Sequence, residues 1–150
     1  MTLQNLQRIG KIKDHAPTAA EVQRLLAGID RNLADAGVDS ISDETRFDAA
    51  YKAVMQCALV AMLAAGYRPA TNEPGHHQTM IQSLPLTLGV ANDAWVVLDA
   101  LRRQRNANDY TGAPMTPEVV AECLSQAKAL RTLLRDQLES KHPELSKGPA

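Results

Sequence analysis

A run of cationic and polar residues lies near the end of one predicted helix. The run contains Arg102, Arg103, Arg105, Asn108, Asp109 and Tyr110. Guanidinium groups match the planar, two-pronged geometry of phosphate oxygens, and a tyrosine ring can stack on a nucleobase. This combination of side chains indicates a surface that binds nucleic acid or nucleotide.

The position of this cluster on its helix distinguishes it from an ordinary charged surface. The apolar stripe of the helix comprises Ala94, Val97, Leu98 and Leu101. At helical spacing the same stripe continues to Arg105 and Asn108. Burial of an unpaired guanidinium costs more than a surface ion pair returns. Two alternatives follow: the end of the helix is solvated, where cations favour the helix dipole, or the polar groups are held together in a cleft or subunit interface.

Two adjacent histidines, His76 and His77, are candidate acid–base residues. Histidine is the side chain whose ordinary pKa lies nearest to neutral pH, so either ring could exchange a proton beside an arginine. Consecutive residues of a helix point about 100° apart, which prevents the pair from chelating one metal ion well. The structural alternative makes His77 a hydrogen-bonded residue of an inner stripe and His76 a surface residue. The sequence predicts no metal site and no cofactor, and it leaves catalytic residues unassigned.

Length, composition and charge exclude several classes of protein. The chain has 150 residues, is 45% hydrophobic and carries a formal net charge of −1. This length is typical of one domain, and the apolar content excludes wholesale disorder. The near balance of charge disfavours a protein that coats nucleic acid through a broad basic face. Cys57 and Cys123 lie among apolar residues at helical positions, which predicts core thiols and not a disulfide.

The sequence predicts a cytoplasmic protein that does not contact a membrane. The first ten residues lack the basic and then apolar order of a secretory signal. The longest apolar stretch, residues 53–65, contains Gln56 and is shorter than the roughly 18 residues needed to cross a bilayer.

The elements that position the cluster are predicted to be helices. Helix N-caps are expected at Thr18, Ser42, Asn92 and Thr116. We expect Gly37 to provide a left-handed stop. Pro85 is expected to end or kink a shorter helix that begins near the histidines.

These signals together predict an all-α fold, an up-and-down bundle of four or five helices. No segment alternates apolar and polar residues as a half-buried strand does. Residues 1–17 are expected to form an N-terminal arm or short helix, residues 18–140 a single helical bundle domain, and residues 141–150 a flexible tail. A loop is expected over residues 68–75, which contain two prolines and a glycine.

The end of the arginine-bearing helix resembles the HEPN superfamily of all-helical bundles. The family signature is an arginine, four residues, a histidine, one residue and a tyrosine. Arg103, Asn108 and Tyr110 fall in that register, with Asn108 in place of the histidine. A HEPN-like subgroup that lacks the histidine ends this helix with arginine, three residues and then Asp-Tyr. Arg105, Asp109 and Tyr110 match that version without a gap.

Two earlier segments extend the resemblance. Residues 49–53, Ala-Ala-Tyr-Lys-Ala, resemble an Ala-Tyr-x-Ala stretch of these proteins. Gly75, His76 and His77 resemble a recurring glycine–histidine segment of the family. The resemblance covers residues 18–138.

The resemblance implies a protein of a bacterial regulatory, toxin–antitoxin or defence system that binds nucleic acid or nucleotide. Family members often dimerise, so that two signature helices form a composite cleft in which many of them cleave RNA. It therefore implies a homodimer, with an antitoxin or regulatory protein as a further partner. Asn108 cannot exchange a proton near neutral pH, so catalysis by the usual pair is not expected.

Two alternatives remain open at the level of the sequence. The first is a divergent, metal-independent ribonuclease, in which His77 replaces the missing histidine and acts with Arg103. The second is a helical protein–protein interaction module. In that case Arg105 and Asp109, four residues apart, would form ion pairs within or across the interface.

Overall fold

The computed structural model describes residues 1–72 and 75–147, which are mostly helical. Within these residues there are seven helices and one sheet of two strands. In chain order they are α1 (Leu3–Arg8), β1 (Ile12–Asp14), α2 (Ala19–Ala36), α3 (Asp43–Ala64), β2 (Tyr67–Pro69), α4 (His76–Thr87), α5 (Asn92–Thr111), α6 (Pro117–Lys141) and α7 (Pro143–Ser146). The prediction of an all-α class is confirmed at this coarse level.

Local capping chemistry explains where most of the long helices begin. Oγ1 of Thr18 accepts from the Glu21 amide at 3.2 Å, and the Ser42 and Thr116 side chains act in the same way on α3 and α6. These three predicted caps are confirmed. The fourth was misplaced by one residue, because Ala91 occupies the N-cap position of α5. Gly37 has a φ of −84° and is right-handed, so the predicted left-handed stop at this residue is wrong.

Helix α3 is the central element of the core. It packs against α2, α4 and α6, and its buried residues surround nearly its whole circumference. Helix α2 runs antiparallel to it, as shown by a bond from Arg46 Nε to the Ala36 carbonyl at 2.9 Å and one from Asn32 Nδ2 to Gln56 Oε1 at 2.7 Å. Among the described residues α3 alone has the length and hydropathy of a membrane-spanning helix, and 67% of its most apolar window is buried inside this protein.

Helix α4 continues through Pro85 to Thr87. Of the two predicted effects of Pro85, an end or a kink, the end does not occur. Proline has no amide N–H to donate to the carbonyl four residues earlier. That carbonyl belongs to Ile81, and the indole Nε1 of Trp95 on α5 donates to it at 3.1 Å. A side chain from the next helix therefore satisfies the acceptor that the proline leaves open.

The two short strands were not predicted. β1 and β2 pair antiparallel, with Ile12 opposite Pro69 and Asp14 opposite Tyr67. β1 lies in the predicted N-terminal arm, which also contains α1, and β2 occupies the start of the predicted loop. Three residues are too few for alternation to be recognisable. Ile12 is nevertheless 1% exposed, so the strand attaches the N-terminal segment to the core.

The C-terminal segment is more ordered than the predicted flexible tail. Residues 143–146 form α7, and Leu145 is 4% exposed. Gln23 on α2 donates from Nε2 to the Leu145 carbonyl at 2.9 Å. Residues 73–74 of the predicted loop and 148–150 of the predicted tail lie outside the described residues.

Candidate functional site

A shallow cleft of about 280 Å³ lies between the first turn of α4 and the second half of α5. Its lining comprises Gly75, His76, His77, Gln78, Arg102 and Asn106. The two histidines and Arg102 are separated by about 25 residues of sequence but share this cavity. The structure thus brings together the acid–base candidates and one of the phosphate-binding candidates.

The two histidine rings lie edge to face, with centroids 4.6 Å apart. The inner ring, His77, also packs against Tyr51 of α3 at 6.2 Å. Burial lowers the pKa of His77, and the nearby charges of His76 and Arg105 lower it further. His77 therefore favours its neutral form. Within residues 1–72 and 75–147 its ring makes no hydrogen bond, so packing and not hydrogen bonding positions it.

Arg102 and Arg103 share one carboxylate, that of Asp99, one helical turn earlier. Arg102 Nη2 lies 3.0 Å from Asp99 Oδ1, and Arg103 Nε lies 3.4 Å from Oδ2. The Arg102 side chain is 15% exposed, whereas that of Arg103 is 65% exposed. Two cations on one anion leave a net positive charge, and the more accessible guanidinium is that of Arg103.

Arg105 packs partly against α3, with 32% of its side chain exposed, so it is neither fully solvated nor fully enclosed. Its guanidinium carbon lies 5.0 Å from the centre of the Tyr51 ring, a cation–π arrangement. Its Nε is buried without a hydrogen-bond partner, and the nearest carboxylate oxygen, Asp48 Oδ1, is 3.9 Å away. Burial raises the pKa of Tyr51, although the charge of Arg105 opposes that rise. The ion pair between Arg105 and Asp109 that an interaction module would use is absent among the ion pairs of the described residues.

The last three residues of the predicted cluster do not line the cleft. Asn108 Nδ2 donates to the Ala113 carbonyl at 2.9 Å and lies 3.5 Å from the sulfur of Met115. These contacts stabilise the turn that follows α5. Asp109 and Tyr110 are exposed, and Tyr110 is 92% exposed. The predicted cluster therefore divides: Arg102 lines the cleft, Arg105 packs against α3, and Arg103, Asp109 and Tyr110 are exposed.

Three residues that matter to this site were missed in the sequence. Asp99 stands three and four residues before Arg102 and Arg103, a spacing at which helical ion pairs form, so this signal was available. Asn106 lies four residues after Arg102, so the helical spacing places both side chains on the same face of α5, and this signal was also available. Tyr51 comes from a different helix, and no local pattern indicates its contact with Arg105.

The cleft combines a neutral imidazole, a second imidazole, a guanidinium and an amide, all open to solvent on one side. Such groups can hydrogen-bond an anionic ligand and can exchange a proton with it. Among the described residues no group of three or more His, Cys, Asp or Glu side chains is placed to hold a metal ion. No protein-family model, curated protein or solved structure is significantly similar to this chain.

Proposed function

We propose that this chain is a HEPN-like helical bundle that binds nucleic acid or nucleotide at the cleft between α4 and α5. The observation that carries the proposal is the convergence of His76, His77 and Arg102, from two separate elements, on one solvent-open cavity. The resemblance of the α5 terminus to the histidine-less HEPN-like signature supports the same assignment. On this basis the protein acts in the cytoplasm, in a bacterial regulatory, toxin–antitoxin or defence system.

The exposed groups of α5 supply the remaining contacts in this proposal. Arg103 shares its counter-ion with Arg102 and is mostly exposed, so it is available to a phosphate. Tyr110 presents a nearly free aromatic ring on which a base can stack. A homodimer that joined two α5 helices would place two copies of these groups in one groove. An antitoxin or regulatory protein is the further partner expected.

Binding of short single-stranded RNA and DNA, measured by filter retention over a range of salt concentrations, tests the proposal. Replacing both arginines that share Asp99, Arg102→Gln with Arg103→Gln, is expected to weaken binding at least about tenfold. It is also expected to reduce the slope of log affinity against log salt by about 1 to 2. The matched control is Arg135→Gln on α6, whose arginine is 57% exposed and pairs with Asp136.

Two outcomes would contradict the proposal. One is wild-type binding that does not respond to salt, because phosphate contacts require such a response. The other is a double variant that binds as tightly as the Arg135→Gln control.

The structure also favours one second candidate, a metal-independent ribonuclease. His77 is held in the neutral form that can accept a proton, and His76 and Arg102 lie beside it. Asn108, at the signature position of the family histidine, is engaged by the turn after α5 and contributes no acid or base. In this candidate the histidines would move the proton and Arg102 would hold the phosphate.

Labelled RNA incubated with the protein and a chelator over about pH 5 to 9 tests this candidate. Cleavage that survives the chelator and is lost in His77→Gln would support it. Absence of cleavage across that range leaves binding alone as the function of the cleft.

A further inference from the structure

A second polar cavity, of about 530 Å³, lies on a different part of the surface, between α2, α3 and β2. Its polar lining consists of His15, Glu21, Arg24, Arg31, Gln56 and Arg68. None of these residues lines the cleft between α4 and α5. We call this cavity the arginine pocket.

The arginine pocket collects cations that lack the partners found elsewhere in the protein. Six of the ten arginines place a nitrogen within 3.9 Å of a carboxylate oxygen. Among the described residues no such pair involves Arg24, Arg31 or Arg68, and all three line this pocket. The fourth arginine without such a pair, Arg8, is not in its lining. In a chain of net charge −1, three guanidiniums at one cavity that have no ion pair with the described residues form a local anion-attracting field.

Within residues 1–72 and 75–147, Glu21 is the one carboxylate that lines the pocket, and it is already engaged. His15 Nε2 lies 2.8 Å from Glu21 Oε1 and 3.1 Å from Oε2. This hydrogen bond is the main cause of the lowered pKa of Glu21, and the charge of Arg24 adds a smaller effect. Glu21 is therefore committed to the imidazole and leaves the three arginines largely uncompensated.

A glycine in the middle of α2 lets an amide donor reach the pocket. A Cβ at Gly28 would lie 3.1 Å from Gln56 Nε2, closer than nearly all real contacts of that kind. Glycine inside a helix costs about 1 kcal/mol relative to alanine, and here it makes room for the Gln56 side chain. Asn32 donates to Gln56 Oε1 at 2.7 Å, which leaves the Nε2 of Gln56 as a positioned donor.

The rest of the lining is apolar. Leu25 and Leu59 are half-buried, and Leu63 is 4% exposed. A volume of about 530 Å³ falls within the range of roughly 300–1,000 Å³ of small-molecule sites. The pocket thus offers cationic donors from α2 and β2 and an amide donor from α3 around an apolar floor, which suits a ligand with an anionic head and a less polar body.

We propose that the arginine pocket binds a small organic phosphate. Arg24, Arg31 and Arg68 hold the phosphoryl oxygens, Gln56 Nε2 donates a further hydrogen bond, and the body of the ligand lies over the leucines. Several guanidiniums on one phosphate favour a terminal phosphomonoester, which carries more charge than a backbone phosphodiester. The site is independent of the cleft between α4 and α5, so one chain carries two anion sites of different kinds.

Titration calorimetry with adenosine monophosphate as the probe tests this site. Binding is expected for the wild type, with adenosine and a phosphodiester dinucleotide without a terminal phosphate each binding at least about tenfold more weakly. The variant Arg24→Ala with Arg31→Ala and Arg68→Ala is expected to lose at least about tenfold in affinity for the monophosphate. All three side chains belong to exposed residues, so the variant is expected to fold, as circular dichroism will show.

The matched control is Arg8→Ala, which removes an arginine that lies outside this pocket and likewise makes no ion pair with the part of the chain that the structure describes. The variant Arg102→Gln with Arg103→Gln separates the two sites, since it is expected to keep monophosphate binding and to weaken RNA binding. The proposal is overturned if the monophosphate does not bind, if adenosine or the dinucleotide binds equally well, or if the triple variant matches Arg8→Ala. A wild-type protein that binds the monophosphate but not RNA would count against the cleft and not against the arginine pocket.

Discussion

The surroundings of Arg105 indicate a role in packing and not in ligand binding. Its guanidinium lies over the Tyr51 ring, and its Nε is buried without a hydrogen bond. A cation–π contact of this kind contributes about 0.5–2 kcal/mol, which offsets part of the cost of removing the charge from water. Arg105 therefore packs α5 against α3, whereas Arg102 lines the cleft and Arg103 is the most exposed of the three arginines.

The packing of the His77 ring against its neighbours favours the neutral form of this imidazole. Its ring lies between Tyr51 and His76, where burial disfavours the charged imidazolium and lowers the pKa. The charges that face it from other residues, those of His76 and Arg105, act in the same direction. A neutral, half-buried imidazole at the wall of a cleft can accept a proton from a ligand near neutral pH.

His77→Gln is expected to change how the free energy of unfolding depends on pH. Because the pKa of His77 in the folded protein lies below its ordinary value of 6.5, the unfolded chain binds more protons as the pH falls from that value toward the folded one. The wild type should lose stability over this interval, and the variant should lose less. Urea unfolding at several pH values between about 7.5 and 5 measures both slopes.

His142→Gln is the control for this experiment. The His142 ring lies 3.8 Å from Glu144, and the variant should keep the acid-side loss of the wild type. Parallel curves for the wild type and His77→Gln would show that burial does not govern this histidine.

Two features stabilise the C-terminal end of helix α5. Gly112 adopts a left-handed φ of 70° at the C-cap, and one turn earlier Asn108 donates to the Ala113 carbonyl. The left-handed conformation satisfies terminal carbonyls and strongly favours glycine. The end of the signature helix is thus fixed by its own turn, and Tyr110 projects from its last turn into solvent.

Gly112→Ala is expected to reduce the free energy of unfolding by about 1 kcal/mol. No atom lies within 4 Å of the position that the new Cβ would take, so the cost comes from the backbone conformation alone. Gly112→Asn is expected to cost less, because asparagine tolerates this conformation better. Chemical denaturation of each variant measures the change.

The matched control for this position is Gly37→Ala, at a helix end where φ is −84° and right-handed. The new Cβ would lie 3.4 Å from the Ala34 carbonyl oxygen, and without a left-handed φ the substitution should cost less than Gly112→Ala. Equal losses at the two glycines would contradict the role given to the left-handed turn.

Elements whose signals are local could be predicted from the sequence, and those defined by distant contacts could not. The caps at Thr18, Ser42 and Thr116 depend on residues within one turn, and all three were predicted. Whether Pro85 ends or kinks α4 was left open by the sequence, because the bond from Trp95 to the Ile81 carbonyl comes from another helix. In the same way, the stripe left open whether Arg105 is solvated or held, and its contact with Tyr51 appears only once α3 and α5 pack together.

At the scale of the whole molecule, both ends of the described chain are attached to one core. Leu6 of α1 and Ile12 of β1 are buried at one end, and Leu145 of α7 is buried at the other. All three belong to the same hydrophobic cluster as α3. The predicted arm or short helix was assigned from a weak amphipathic pattern and the predicted tail from its prolines and glycine, and neither signal indicates that one or two apolar residues reach the core.

Leu145→Ala is expected to lower the free energy of unfolding by about 2–5 kcal/mol, the usual cost of truncating a buried leucine. The matched control is Leu133→Ala on α6, where the leucine is 43% exposed and the loss should be below about 0.5 kcal/mol. Thermal unfolding followed by circular dichroism compares the two variants. Equal effects would mean that α7 does not contribute to the fold.

The hydrogen bond between Trp95 and the Ile81 carbonyl has a practical consequence. The protein has one tryptophan, and its indole joins α5 to α4, two turns along α5 from Arg102. Its intrinsic fluorescence therefore reports on the contact between α5 and α4, without an added dye. A ligand that pushed the two helices apart would break the bond, hydrate the ring and shift its emission to longer wavelength, so occupancy of the cleft can be followed optically in the unmodified chain.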